Sequence, residues 1–287
     1  MKKLILITTF VFSIFFIHAQ NSTDKIWQPS PYDAEVVKAF ADSLYSQGFL
    51  TQAEGEYKRF LFSFGDCQDQ EVLLALTNIY KKQKNADGIT WLRDNFYDKA
   101  QPPVKEKMNF VQAEFIFKQQ KAQDFTLFSD SIVPDRKNFS PDFKNLVDIS
   151  ELILKNDIGG LKAFCPAAAK VNPDFENLNL LCQSYKSKSP GLALFLSSLI
   201  PGSGKWYTGS FGAFASSFLT ISSFAAGTVV TGIQSQWKSW QPYVFGSCGV
   251  ILYIAELYGS YQSAKRYNAS LFRLLCEETE KLYEKEY

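Results

Sequence analysis

Apolar and aromatic positions recur at helical spacing between about residues 33 and 187, and short polar turns interrupt them. This period predicts helix, polar turn, helix, repeated along the chain. Four units align: ADSLYSQGFLTQAEGEYKRFLFSFGD from Ala41, LTNIYKKQKNADGITWLRDNFYD from Leu76, QAEFIFKQQKAQDFTLFSD from Gln112 and SELILKNDIGGLKAFCPAAAKVNPD from Ser150. The alignment puts Gln47, Gln83, Gln119 and Lys155 at a constant spacing of 36. An all-α chain is expected, built from repeated helix pairs.

The pattern then changes. No Asp, Glu, Lys or Arg occurs from Trp206 to Trp237. Residues 209–233 form an apolar run long enough for a hydrocarbon core of about 30 Å. A second run, 242–264, is of similar length and contains one carboxylate, Glu256. Trp206, Trp237, Trp240, Tyr207, Tyr243, Tyr261 and Tyr267 flank the runs as an interfacial aromatic belt would. Both runs carry small residues at four-residue spacing, such as Ala255, Gly259 and Ser263, which suits close helix contact in lipid. The same faces make a homo-oligomer a candidate assembly. Residues 268–287 read as an amphipathic tail helix, with Leu271, Leu274 and Leu275 on its apolar face and Glu277, Glu278 and Glu280 on its solvated face.

A shorter uncharged stretch, Ser189 to Gly204, precedes these runs and contains a candidate helix at 190–204. As a helix its 16 residues would cover about 24 Å. It is either a short first span or a re-entrant half-helix. The positive-inside rule favours three spans, with Lys205, Lys265, Arg266 and Arg273 on the cytoplasmic side. The repeats and the C-terminus are then expected on opposite sides.

The stretch PGSGKWYTG, 201–209, invites a phosphate-loop reading, which its neighbours exclude. A phosphate loop needs Gly-x-x-x-x-Gly-Lys-Ser/Thr. Leu199 stands where the first glycine belongs, and Trp206 where the magnesium-binding hydroxyl belongs. The stretch reads instead as a membrane-interface turn. Pro201 ends a helix, Gly202 and Gly204 permit reversal, Lys205 snorkels, and Trp206 and Tyr207 anchor at the headgroups.

These residues carry two resemblances. The first unit resembles a tetratricopeptide repeat: Ala41, Tyr45, Gly48, Ala53, Tyr57 and Leu61 fall at that family's packing positions. Tyr80 and Gly88 match in the second unit, and VNPD at 171–174 looks like the family's terminal Asn-Pro turn. The resemblance covers 33–187. It implies stacked helix pairs that share a core, with a groove for a peptide or protein partner. The string Pro-Gly-x-Gly-x-x-Tyr-x-Gly, Pro201 to Gly209, resembles the turn of bacterial membrane domains related to the two-transmembrane-helix family. That likeness covers about 189–268 and implies topology but no chemistry. Lys205-Trp206 replaces the family's usual polar residues at the turn.

The opening MKKLILITTFVFSIFFIHAQ has a lysine pair, an apolar core and a small-residue end, the pattern of a gram-negative export signal over residues 1–19. The repeats are therefore expected in the periplasm, tethered to the inner membrane by 189–267. His18, the sole histidine, falls in this leader, so the mature chain is expected to lack imidazole and with it His-dependent catalysis and metal binding. Lys and Arg number 30 against 29 Asp and Glu, which gives no electrostatic footprint for nucleic acid. The five cysteines, Cys67, Cys165, Cys182, Cys248 and Cys276, contain no Cys-x-x-Cys pair. Export permits disulfides, and Cys165 and Cys182, 17 apart, are a candidate bridge, but burial as a small apolar side chain is the favoured expectation for each cysteine.

These features predict a non-catalytic, cofactor-free envelope protein that contacts lipid and a protein partner as an adaptor or assembly factor. The alternative is a transport or pore component in which Glu256 lines the path. A carboxylate within a span costs energy unless bonded, so Glu256 serves either as glue through hydroxyl partners or as a relay.

Overall fold

The computed structural model describes residues 33–64 and 69–285. The expected leader, 1–19, and Cys67 lie outside the described residues. Those described form an all-α fold without strands. They fall into two compact units that divide between Met108 and Asn109, within one helix.

The first unit holds α1 (Ala34–Ser46), α2 (Leu50–Ser63), α3 (Gln70–Gln83) and α4 (Ala86–Phe96), with a 3-10 turn at Tyr97–Lys99, and ends in the first turns of α5 (Pro102–Lys118). Local chemistry places the helix starts. The Asp69 carboxylate accepts from the Glu71 and Val72 amides, and the Asn85 side chain accepts from the Gly88 amide. Both satisfy donors that the first helical turn leaves open. Ala41 and Ala53 are fully buried, and Tyr57 lies beside them with its hydroxyl donating to Asp42 at 2.5 Å. Tyr80 is buried against Gly88, where a Cβ would come within 2.5 Å of the ring.

The second unit continues with the rest of α5, then α6 (Ala122–Ser131), α7 (Pro141–Leu154), α8 (Ile158–Val171) and α9 (Glu176–Ser184), with 3-10 turns at Arg136–Asn138 and Pro173–Phe175. Next come α10 (Pro190–Leu199), the single turn and a half of α11 (Ser203–Tyr207), α12 (Phe211–Gln234) and α13 (Gln241–Glu284). Ser140, Asp157 and Ser189 cap α7, α8 and α10 through the amides of Phe143, Gly160 and Leu192.

The 36-residue period appears in the backbone. Gly48, Lys84, Gln120 and Asn156, each one residue after the aligned Gln47, Gln83, Gln119 and Lys155, have φ of 83°, 54°, 54° and 54°. The next helices begin at Leu50, Ala86, Ala122 and Ile158. The repeated element is thus a left-handed C-terminal cap, which lets the chain leave one helix and enter the next. Only Gly48 suits this conformation without a side-chain penalty.

Two helices, Phe211–Gln234 and Gln241–Glu284, are long and apolar enough to cross a membrane. The first has 24 residues and the second 44. The expected break between a span at 242–264 and a tail at 268–287 is absent: α13 runs through it. Nothing in the sequence stops it, because 265–284 contains neither Gly nor Pro. The two ends of α13 meet different surroundings. Val250, Ile251, Ile254 and Tyr258 are exposed, whereas Leu275, Cys276, Thr279, Leu282 and Tyr283 are buried. This stripe differs from the expected tail face, since Leu274 is exposed. The helix docks through residues nearer its end.

The docking core is aromatic. The Tyr283 ring lies 5.4 Å from Phe110 and 5.8 Å from Phe117, centroid to centroid, and its hydroxyl is 2.9 Å from Ser150 Oγ. Where α9 leads toward α10, Asn268 brackets the backbone of Lys188, accepting from its amide and donating to its carbonyl, both at 2.8 Å.

Candidate functional site

The turn 201–209 and the helices around it form the most polar buried cluster among the apolar helices. Pro201 stands where α10 stops, and Ile200 before it is extended, as a residue preceding proline tends to be. The glycines of the turn have separate tasks. Gly202 has φ +86° and lies against the α12 backbone, 3.0 Å from Phe214 O for an added Cβ. Gly204 is the tightest contact, because a Cβ there would come within 2.1 Å of the Ala193 carbonyl oxygen. Gly209, with φ +89° and open space around it, supplies only the left-handed exit from α11.

This close approach aims Lys205 inward. Its Nζ donates to Glu256 Oε2 at 2.5 Å and to Ser217 Oγ at 2.9 Å. The expected snorkelling of Lys205 toward an interface is therefore corrected: its side chain is only 20% exposed, and that of Glu256 only 5%. The other Glu256 oxygen accepts from Ser260 at 3.0 Å. Ser260 in turn accepts from Ser197 at 2.7 Å, and Ser197 accepts from the Gly204 amide at 2.9 Å. A continuous chain of donors thus ends at one carboxylate and joins α10, α11, α12 and α13. Beside it Thr208 donates to the Lys205 carbonyl at 2.8 Å, and Thr208 and Ser263 share a hydroxyl contact of 2.7 Å. A buried ion pair holds its place when hydrogen bonds satisfy both charges, and here each has two partners.

The aromatic residues behave differently from one another. Trp206 is exposed and stacks on Phe214 at 5.4 Å. Tyr207 turns back toward the start of α10, where its hydroxyl accepts from the Ser189 amide at 3.3 Å and Lys188 lies over its ring at 4.6 Å. Of the small residues expected on one face of the second run, Ser263 meets Thr208 and Gly259 passes Lys205, whereas Ala255 is exposed. The inward face is instead Glu256, Ser260 and Ala264.

In the repeats, Ala41, Ala53, Tyr57, Tyr80 and Gly88 lie at helix contacts. Gly48 does not: a Cβ there would meet nothing within 4 Å, and its role is the positive φ. Tyr45 is partly exposed, with Lys82 Nζ 4.6 Å above its ring.

Pairing of Lys205 with Glu256 was the relationship that the sequence left unassigned. A signal for it existed: Lys205 is the one charge between Ser189 and Trp237, and Glu256 the one charge in 242–264, with opposite signs. Chemically the cluster supplies one ion pair and a set of hydroxyls: Ser217 lies 2.9 Å from the Lys205 ammonium, and Ser260 donates to the Glu256 carboxylate. Among the described residues no group of three or more His, Cys, Asp or Glu comes together. Compared with protein-family models, curated proteins and solved structures, the chain matches none.

Proposed function

We propose that this chain is a non-catalytic, membrane-anchored adaptor or assembly factor of the cell envelope, whose tetratricopeptide-like repeats engage a protein partner. The observation that carries the reading is the continuity of α13. One helix passes from an exposed apolar half into the core beneath Ser150, Phe110 and Phe117. Whatever holds the repeats to the bilayer also forms part of their core.

This continuity favours a topology other than the three-span one. Asn268 on Lys188 and Tyr283 on Ser150 put the end of α13 on the same side as the helices before α10. An even number of crossings joins them, namely α12 and the first half of α13. Helix α10, with 10 residues and about 15 Å of length, is then a re-entrant half-helix. In this arrangement Lys186, Lys188, Lys265, Arg266 and Arg273 share the side of the repeats, against the positive-inside tendency for an exported domain. The export reading rests on the leader, which directs the domain behind it across the inner membrane.

Glu256 is better suited to glue than to a path, because Lys205 and Ser260 occupy both of its oxygens.

A reporter fused after Tyr287 tests the topology. It is expected to be active outside the cytoplasm, together with one inserted near residue 33. Opposite sides for the two would overturn the two-crossing reading. A photo-crosslinking residue at exposed Phe62 or Phe40, in cells at native expression, tests the adaptor role. A discrete adduct with another envelope protein is expected; adducts with lipid alone would remove the role.

A further inference from the structure

Cys165 on α8 and Cys182 on α9 face one another with sulfurs 3.2 Å apart, and each residue is 1% exposed. Both are free thiols in this structure. Their approach is held by the backbone around them. Pro166 lies inside α8 and has no amide hydrogen, so the carbonyl four residues earlier, at Lys162, has no helical donor. Gln183 Nε2 donates to that carbonyl at 3.0 Å, and Lys162 Nζ donates in the opposite sense to the Tyr185 carbonyl at 2.8 Å. The turn before Cys165 and the residues after Cys182 are thus latched together. A disulfide needs sulfurs about 2 Å apart, and modest side-chain rotation in two adjoining helices closes the remaining distance.

We propose that Cys165 and Cys182 form a structural disulfide in the protein as it resides in the cell envelope, a modification that rests on the exported placement of the repeats. The oxidant is the disulfide of a thiol oxidoreductase. The Cys182 thiolate attacks one sulfur of that disulfide and releases the other as a thiolate. Cys165 then loses its proton to solvent and attacks the Cys182 sulfur of the mixed disulfide, expelling the oxidant's second thiolate. The chain loses two hydrogens and the oxidant becomes a dithiol. Because both sulfurs are buried, the exchange takes place before α8 and α9 finish packing.

The bridge joins positions 17 apart and encloses the turn between the two helices. It fixes the ground on which Tyr185 and the bracketed Lys188 lead toward α10.

The test traps the full chain in cells with acid, denatures it, and alkylates it with iodoacetamide without reductant. Mass mapping is expected to find the Cys165 and Cys182 peptides joined, with label on Cys248 and Cys276. Prior reduction should free both peptides for labelling, and Cys165→Ser should leave Cys182 labelled. The melting temperature of the purified wild type should fall on addition of dithiothreitol, while that of the Cys165→Ser/Cys182→Ser variant should not move. Label on both cysteines, in a chain whose repeats are cut by protease added to the periplasm, overturns the disulfide itself. Label on both with the repeats protected overturns the exported placement first and the disulfide with it.

Discussion

Tyr283 Oη and Ser150 Oγ stand 2.9 Å apart, both fully buried, although 133 positions separate them in the chain. Burial pushes the Tyr283 hydroxyl well above its ordinary range, so it remains neutral. The contact makes the end of α13 a core element of the helices that precede the apolar segments. Cys276, one and a half to two turns earlier on the same buried stripe, is pushed up to about 11 by burial and the nearby Glu280 and Glu277.

Removing this anchor should separate packing from polarity. Tyr283→Ala is expected to cost about 3–5 kcal/mol, the range for losing a buried aromatic ring. Tyr283→Phe should cost about 1 kcal/mol, because the ring stays against Phe110 and Phe117 while Ser150 loses a partner. Thermal unfolding of the detergent-solubilised chain, followed by circular dichroism, measures both. Equal losses would mean that the ring contacts carry little.

The Lys205–Glu256 pair should obey the arithmetic of buried ion pairs. Glu256→Leu alone leaves a buried ammonium without its counter-charge, and a loss of about 3–5 kcal/mol is expected. Lys205→Met alone should cost a similar amount. The double variant should recover most of either loss, since apolar replacement of a whole pair is commonly near neutral. Glu256→Gln, which retains hydrogen bonding to Ser260, should be inserted at normal levels and still yield the partner adduct. Normal levels without the adduct would favour a relay role. Melting temperature, membrane abundance and crosslinking yield are the readouts.

The repeat caps offer stabilisation at positions that side-chain contacts do not single out. Lys84 and Asn156 hold φ of 54°, where a side chain costs about 1 kcal/mol relative to glycine, with asparagine the better tolerated of the two. Lys84→Gly is expected to raise stability by up to about 1 kcal/mol, and Asn156→Gly by less. The converse, Gly48→Val, should lower it despite the open space around Gly48. Denaturant midpoints of the full chain decide the order.

Acid should weaken the first unit through Asp69. Burial alone would push its carboxyl up, but the hydrogen bond and charge of Lys38, at 2.8 Å, and the Glu71 and Val72 amides hold it below the ordinary 3.8. A depressed carboxyl contributes stability above its unfolded value and loses it as the pH falls through the folded value. Asp69→Asn retains a cap yet loses the charge. It should therefore be less stable than the wild type at about pH 7, and the difference should vanish as the pH drops below the carboxylate range. A gap that persists in strong acid would place the effect in the cap geometry rather than in the ion pair.

What was legible in the sequence is what depends on neighbours along the chain. Helical period, capping residues and the interval of 36 between turns are local, and the described fold is all-α with caps at Gly48, Lys84, Gln120 and Asn156. The length and lack of charge of 209–233 likewise announced an apolar helix. Other features required long-range contact. A period of hydrophobicity does not state which face meets which neighbour, so Leu274 was expected inside and lies exposed, while Tyr283 is buried. A charge in an apolar run demands a partner without naming it, and only the close packing of Gly204 on the Ala193 carbonyl turns Lys205 toward Glu256, 51 positions away. Helix continuity through 264–268 was a matter of local chemistry, whereas the docking of that helix was decided by tertiary burial, because an aromatic ring gains most where several others already exclude water.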